Sequence, residues 1–259
     1  MTGSPVRGRT LRMRAAAAVA AAGLLLLSAC GFSEDPAAAP GEGTDTSFSI
    51  AIGIDPDTFD PAGQTTTTVQ NIVDYMVETL VTVDDNGEVV GLLAETIETS
   101  PDGLTIDLGL RQGVTFHDGT PFNADAVVFN LERITDPNLT VPLGASFAAM
   151  ESATATGEHS VQIKLSQPAP VFLSALSITT AALISPASVQ AEGNTNDNYQ
   201  HPIGTGPYTF TSYTAGQNVT VTKFAEYWGE KPYYETVDFR VVPEAATRES
   251  LLLAGQVDM

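Results

Sequence analysis

The 259 residues contain a single cysteine, Cys30. No internal disulfide can form, so the fold has to rest on its hydrophobic core. Histidine is scarce: only His117, His159 and His201 occur, and none stands at metal-ligand spacing from another. There is no Gly-x-Ser-x-Gly elbow and no His-Glu-x-x-His pair. A hydrolase thus lacks its usual nucleophile or metal centre, and no catalytic residue, bound metal or cofactor is expected. Basic residues number 11 against 31 acidic ones, a formal charge of −20. A surface this acidic repels nucleic acid and anionic lipid headgroups, so nucleic acid is not an expected partner. The uncharged apolar run from Ala15 to Leu27 falls short of the ~20 residues needed to span a bilayer comfortably.

What is present starts around that run. Arg7, Arg9, Arg12 and Arg14 precede it, and no acidic residue occurs before Glu34. A basic start, a short apolar stretch and small residues before a cut site predict a secretory signal peptide over residues 1–29. Its last tetrapeptide, Leu27-Ser28-Ala29-Cys30, resembles a bacterial lipoprotein signal. That resemblance implies lipidation of Cys30, which becomes the mature N-terminus and holds the protein to the outer face of the cell membrane. Stable anchoring takes two or more acyl chains, at about 0.8 kcal/mol per buried methylene. Cleavage removes four of the 11 basic residues, leaving seven against 31 acidic and a formal charge of −24. Residues 30–46, rich in Ala, Pro, Gly and acidic residues, read as a flexible tether.

The body begins at Ser47, where Phe48, Ile50, Ile52 and Ile54 alternate with small or polar residues, the period of a half-buried strand. Asp55-Pro56-Asp57 and Asp60-Pro61 break it into a turn-rich loop. Val69, Ile72, Val73, Met76 and Leu80 recur at helical spacing, with Thr67 or Thr68 as N-cap. Leu80 to Val83 reads as a strand ended by the hairpin turn at Asp84 to Gly87. Ile97 to Thr99 and Leu104 to Leu110 flank a tight turn at Pro101-Asp102-Gly103. Asn123 is expected to cap a helix reaching Arg133. A hairpin over Ser152 to Leu165, a helix from Ala169 to Leu176 and a surface loop from Gln190 to Gln200 follow. The last stretch predicts strands at Tyr208 to Tyr213, Asn218 to Phe224 and Val237 to Val242, then a helix from Ala245 to Leu253 with Gly255 as its C-cap.

Several segments carry a family resemblance in order. They include Phe59-Asp60-Pro61, Leu92-Leu93-Ala94-Glu95, Ser100 to Thr105 and Leu110-Arg111-Gln112-Gly113-Val114-Thr115-Phe116-His117-Asp118-Gly119-Thr120-Pro121. Ala124 to Phe129, Gly204-Thr205-Gly206-Pro207-Tyr208, Tyr227-Trp228, Arg248 and Gly255-Gln256-Val257-Asp258 continue it. Together they resemble the peptide- and nickel-type (family 5) extracellular solute-binding proteins of ABC importers. Ala126 departs from the family, which usually carries an acidic residue there; the change bears on the helix start more than on ligand choice.

The resemblance implies an α/β, two-lobed periplasmic-binding-protein-like fold that closes on a ligand, in members roughly twice this length. It assigns 47–81 and 202–259 to one discontinuous first lobe and 82–201 to an extra α/β domain, with the second lobe following residue 259. It also implies a peptide ligand and an ABC permease and ATPase complex as partners. A nickel chelate, haem or an oligosaccharide are alternative ligands, and a surface lipoprotein without a transport role is the alternative function. Gln64, Thr65, Thr66 and Thr67, in the loop that faces the cleft in this family, are the candidate ligand-binding residues, and Trp228 beside Tyr227 is a candidate stacking surface. His117 and Asp118 belong to a turn of the family pattern, and a structural use is expected for them.

Overall fold

The computed structural model describes residues 46–194 and 199–259. The expected signal peptide, Cys30 and the tether before Thr46 lie outside the described residues.

Chain order gives β1 (Ser47–Ile52), α1 (Thr67–Val73), β2 (Val81–Val83), β3 (Val89–Gly91), β4 (Ala94–Thr99), β5 (Thr105–Leu110) and α2 (Ala124–Ile134). Next come β6 (Met150–Gly157), β7 (Ser160–Leu165), α3 (Phe172–Ala175), α4 (Pro186–Ala191), β8 (Tyr208–Thr214), β9 (Asn218–Lys223), β10 (Thr236–Val241) and α5 (Ala245–Leu253). Two four-stranded sheets result, ordered β1-β10-β9-β8 and β4-β5-β7-β6, with β2 and β3 as a separate hairpin. The first sheet joins the two ends of the described chain: β1 runs parallel to β10, and the other neighbours are antiparallel.

The middle sheet shows why alternation works. Ile106, Leu108 and Leu110 of β5 and Val161, Ile163 and Leu165 of β7 are all buried on one face. Helix α2 covers that layer with Val127, Leu131 and Ile134, joined by Phe116, Phe122, Phe147 and Phe172. Each large side chain removed from water contributes about 1.5–3 kcal/mol, against the entropy of ordering it. Asn123 caps α2 as expected, its Oδ1 accepting from the Ala126 amide at 3.0 Å.

Three local expectations are corrected. Helix α1 ends at Val73 instead of running on to Leu80. The carbonyls of Tyr75 and Met76 turn outward to accept from the amides of Tyr208 (3.0 Å) and Gly206 (3.0 Å), so tertiary pairing overrides the helical period. The N-cap position is Thr66, one residue earlier than expected, with no side-chain cap. The stretch expected as a surface loop, Gln190 to Gln200, includes the end of α4 and the buried Tyr199, whose hydroxyl lies 2.8 Å from Ser188 Oγ.

The sheet of the chain ends and the middle region are pinned together by polar contacts. Arg133 of α2 forms a buried, two-pronged ion pair with Asp60 in the loop after β1. His117 Nε2 donates to the Gly206 carbonyl at 2.9 Å, and the ring lies 4.9 Å from that of Phe224. Burial holds the imidazole below its ordinary pKa, partly offset by the Gly206 hydrogen bond and the Asp118 charge. Asp118 accepts from the hydroxyls of Ser185 and Thr120, each at 2.5 Å. Gly204 and Gly206 are required by the close approach: a Cβ on Gly204 would sit 2.1 Å from the Met76 carbonyl oxygen, and one on Gly206 2.7 Å from the Met76 carbonyl carbon.

Candidate binding face at the carboxyl end of the parallel strands

In open α/β sheets, ligands bind outside the carboxyl ends of the strands. Here β1 and β10 are the parallel pair, and both end at one rim, where the Val242 amide donates to the Ile52 carbonyl at 2.8 Å. Strand β8 runs the same way, because it is antiparallel to β9, which is antiparallel to β10. It starts beside the end of α1, at Tyr75 and Tyr208, and finishes beside the loop after β1, where the Gly216 amide donates to Asp55 Oδ2 (2.9 Å) and the Tyr213 hydroxyl to the Pro56 carbonyl (2.8 Å). The start of α1, with Thr65 to Thr67, therefore lies at the carboxyl rim.

The loop that presents these threonines is built around Gln64. Its side chain is 2 % exposed. Nε2 donates to Asp57 Oδ1 (2.9 Å) and to the Thr58 carbonyl (3.0 Å), while Oε1 accepts from the amides of Thr65 (2.9 Å) and Thr66 (2.7 Å). The amide is saturated by its own loop, and it occupies the backbone N–H groups of Thr65 and Thr66. Thr65 and Thr67 are exposed, and Thr66 is half-buried.

Two further groups complete the rim. Gly53 and Ile54, just past β1, are exposed. Arg248 of α5 reaches back to them: its Nη1 donates to the carbonyls of Val242 and Pro243, both at 2.8 Å, and would lie 3.0 Å from a Cβ placed on Gly53. On the other edge of β1, Asp258 Oδ2 accepts from the Ser49 amide and hydroxyl, both at 2.8 Å. These two donors hold its carboxyl below the usual range. The Met259 amide donates to the Ser49 carbonyl (3.1 Å) and its carbonyl accepts from the Ala51 amide (2.8 Å), the hydrogen-bond pattern of a parallel neighbour. Between this edge and α1 runs a cavity of about 560 Å³, walled by Ile50, Ile52, Ile72 and Phe239, with Thr68 and Tyr75 along its side.

Trp228 is at the opposite end. Its Nε1 donates to Glu78 Oε2 at 2.8 Å, and the Arg111 guanidinium stacks 4.4 Å from its ring centre. Glu78, which is buried, also accepts from the Tyr227 hydroxyl (2.7 Å) and the Thr205 hydroxyl (2.8 Å). Burial raises the Glu78 carboxyl above its ordinary pKa, partly offset by these donors and by the Arg111 charge. The structure thus brings Gln64 to Thr67 together at the rim and places Trp228 in the seam with the middle region. Sequence reasoning missed Glu78, Arg133 and the position of Arg248. For Arg248 the sequence offered only its place in the family pattern, since Glu244 and Glu249 lie close by along the chain.

Among the described residues, no group of His, Cys, Asp or Glu is arranged to hold a metal ion, and no helix is long and apolar enough to cross a membrane. Comparison with known proteins gives a consistent picture. The glutathione-binding protein GsiB of Escherichia coli strain K12 is 33% identical over 208 residues, 80% of this chain and 40% of the relative. The binding protein AgaA from A. tumefaciens R10, solved with agropinic acid, matches with a TM-score of 0.77 at 27% identity, over 82% of this chain and 43% of that one. A dipeptide-binding protein from Pseudoalteromonas sp. SM9913, solved with Met-Leu, gives a TM-score of 0.76 at 25% identity, over 82% of this chain and 46% of that one. The chain spans less than half the length of each of these proteins. The model of the bacterial extracellular solute-binding proteins, family 5, middle region, matches residues 88–259. With the mixed α/β architecture and this match across most of the described residues, the chain belongs to the bacterial extracellular solute-binding proteins, family 5.

Proposed function

We propose that this chain supplies the first lobe (47–81 and 202–259) and the extra domain (82–201) of the solute-binding component of an ABC importer. In this reading the component captures peptides or similar small acids outside the cell, is tethered through lipidated Cys30, and hands its ligand to a permease and ATPase complex. The observation that carries the reading is the open carboxyl rim of β1 and β10, with Thr65, Thr67 and Gly53 exposed in a chain of this family. Gln64 shapes the loop, and the hydroxyls of Thr65 and Thr67 are its ligand-facing groups. Glutathione, agropinic acid and Met-Leu, the ligands in the names of the relatives, share a carboxylate. Capture follows two-lobe physics: a ligand touching both lobes favours the closed form only by its differential affinity for it.

A native mass spectrum of the protein, extracted from its own membranes in mild detergent, tests this. The expected species carries acyl mass on Cys30 and a bound peptide or small organic acid. A lipidated protein that captures no solute from a peptide mixture would leave a surface lipoprotein without a transport role as the better reading.

A further inference from the structure

Seven basic residues fall in the described part of the chain. Arg111, Arg133 and Lys223 have carboxylate partners in Glu95, Asp60 and Glu235. Lys164 and Lys231 are exposed on the surface, and Arg240 donates to the Gln256 carbonyl. Arg248, like Arg240, Lys164 and Lys231, forms no ion pair with a carboxylate among the described residues; what sets it apart is how it is held. Its Nη1 is fixed by two backbone carbonyls where β10 ends, while Nε and Nη2 have no hydrogen bond within the described residues. The guanidinium packs against Gly53: a Cβ there would lie 3.0 Å from Nη1, 3.3 Å from Cζ and 3.4 Å from Nη2, so that a methyl would make the guanidinium give by a few tenths of an ångström.

The result is a half-buried cation, held in place by neutral groups, at the carboxyl rim of two parallel strands. A protein with net charge −20 has many carboxylates that could have neutralised it. A planar guanidinium with two adjacent donors left over matches a carboxylate in a bidentate pair, and its rigid fork loses little freedom on binding. We infer that Arg248 is the residue of this rim that receives the carboxylate of the bound solute, with Gly53 as the gap that lets the guanidinium lie there. This assignment rests on the solute-binding reading and adds to it the group of the ligand that is recognised.

Calorimetric titration of the full chain with Met-Leu and with its C-terminal amide tests the assignment. The wild type is expected to favour the acid by at least roughly tenfold, the scale of a charged hydrogen-bonded pair. Arg248→Gln removes that preference, Arg248→Lys keeps part of it, and Gly53→Ala weakens it without removing the charge. Arg240→Gln, which removes a charge on the neighbouring strand, leaves it intact. A folded Arg248→Gln protein with an unchanged acid-to-amide ratio overturns the assignment, because a purely structural arginine would lower affinity for both probes alike. Should neither peptide bind this chain, which on the proposed reading supplies one lobe of the cleft, sodium acetate tests Arg248 alone. A saturable shift of the Arg248 Nε–H resonance with acetate, and none with chloride, supports the assignment; its absence overturns it.

Discussion

In the middle of the chain, α2 buries Ala124, Ala126, Val127, Asn130, Leu131, Arg133 and Ile134, and packs against β6 and β7. At the sheet of the chain ends, α5 is nearly as long and buries nothing, with Leu252 49% and Leu253 82% exposed. The two helices sit in one chain and differ in what they are for. The middle region closes a core that Ala62 and Leu80 join, and it is tied to the terminal sheet through Arg133 and Asp60. The terminal sheet is closed on one side by α1 and left open at its carboxyl rim, where Gly53 and Thr65 are exposed and Arg248 is half-buried. Both regions hold a buried core; the terminal sheet in addition leaves α5 exposed.

The contrast can be broken most severely at the joint between the regions. Asp60→Ala leaves the Arg133 guanidinium buried without its partner, and urea melts are expected to show a loss of about 3–5 kcal/mol. Within the middle core, Leu108→Ala is expected to cost about 2–5 kcal/mol by the same measurement. Gly204→Ala forces a methyl into the Met76 backbone and is expected to cost about 1–3 kcal/mol.

A smaller effect is read by pH. The Glu78 carboxyl is raised in the folded state, so the folded chain binds a proton where the unfolded chain, near the ordinary 4.5, does not. Its contribution to stability therefore grows as pH falls through the folded value toward 4.5, and is lost as pH rises back through it. Thermal melts across that window are expected to slope less for Glu78→Gln than for the wild type; parallel profiles would mean that Glu78 does not titrate there. Smallest of all, Leu253→Ala on α5 is expected to change stability by no more than about 0.5 kcal/mol. A larger loss would mean that α5 is covered in solution and that the contrast is overstated.

Much of the middle region could be read from the sequence because its signals are local. Alternation placed Ile106, Leu108 and Leu110 on one face, Asn123 marked the start of α2, and the turn at Gly103 takes the positive φ (70°) that a tight hairpin demands, as Gly216 (71°) does between β8 and β9 of the other sheet. The parts that escaped depend on distant partners. Nothing near Val73 announces that α1 stops there, because the cause is the ribbon Gly206 to Tyr208, more than a hundred residues later. The candidate site was legible as a loop but not in its division of labour. That Gln64 spends its amide on Asp57, Thr58, Thr65 and Thr66 follows from how the loop folds back, which composition does not encode. Trp228 has the residue type of a stacking surface, yet a carboxylate 150 positions earlier claims its N–H.

That engagement gives the protein a built-in optical reporter. Trp228 is the only tryptophan in the chain, lodged between the Glu78 carboxylate and the Arg111 guanidinium, far from the rim where Thr65 and Arg248 lie. Its emission therefore reports the charge and packing of the joint between the two regions. If a solute bound at the rim of this chain changed that emission, the signal would measure strain carried through the sheet to the seam, with no contact between solute and indole.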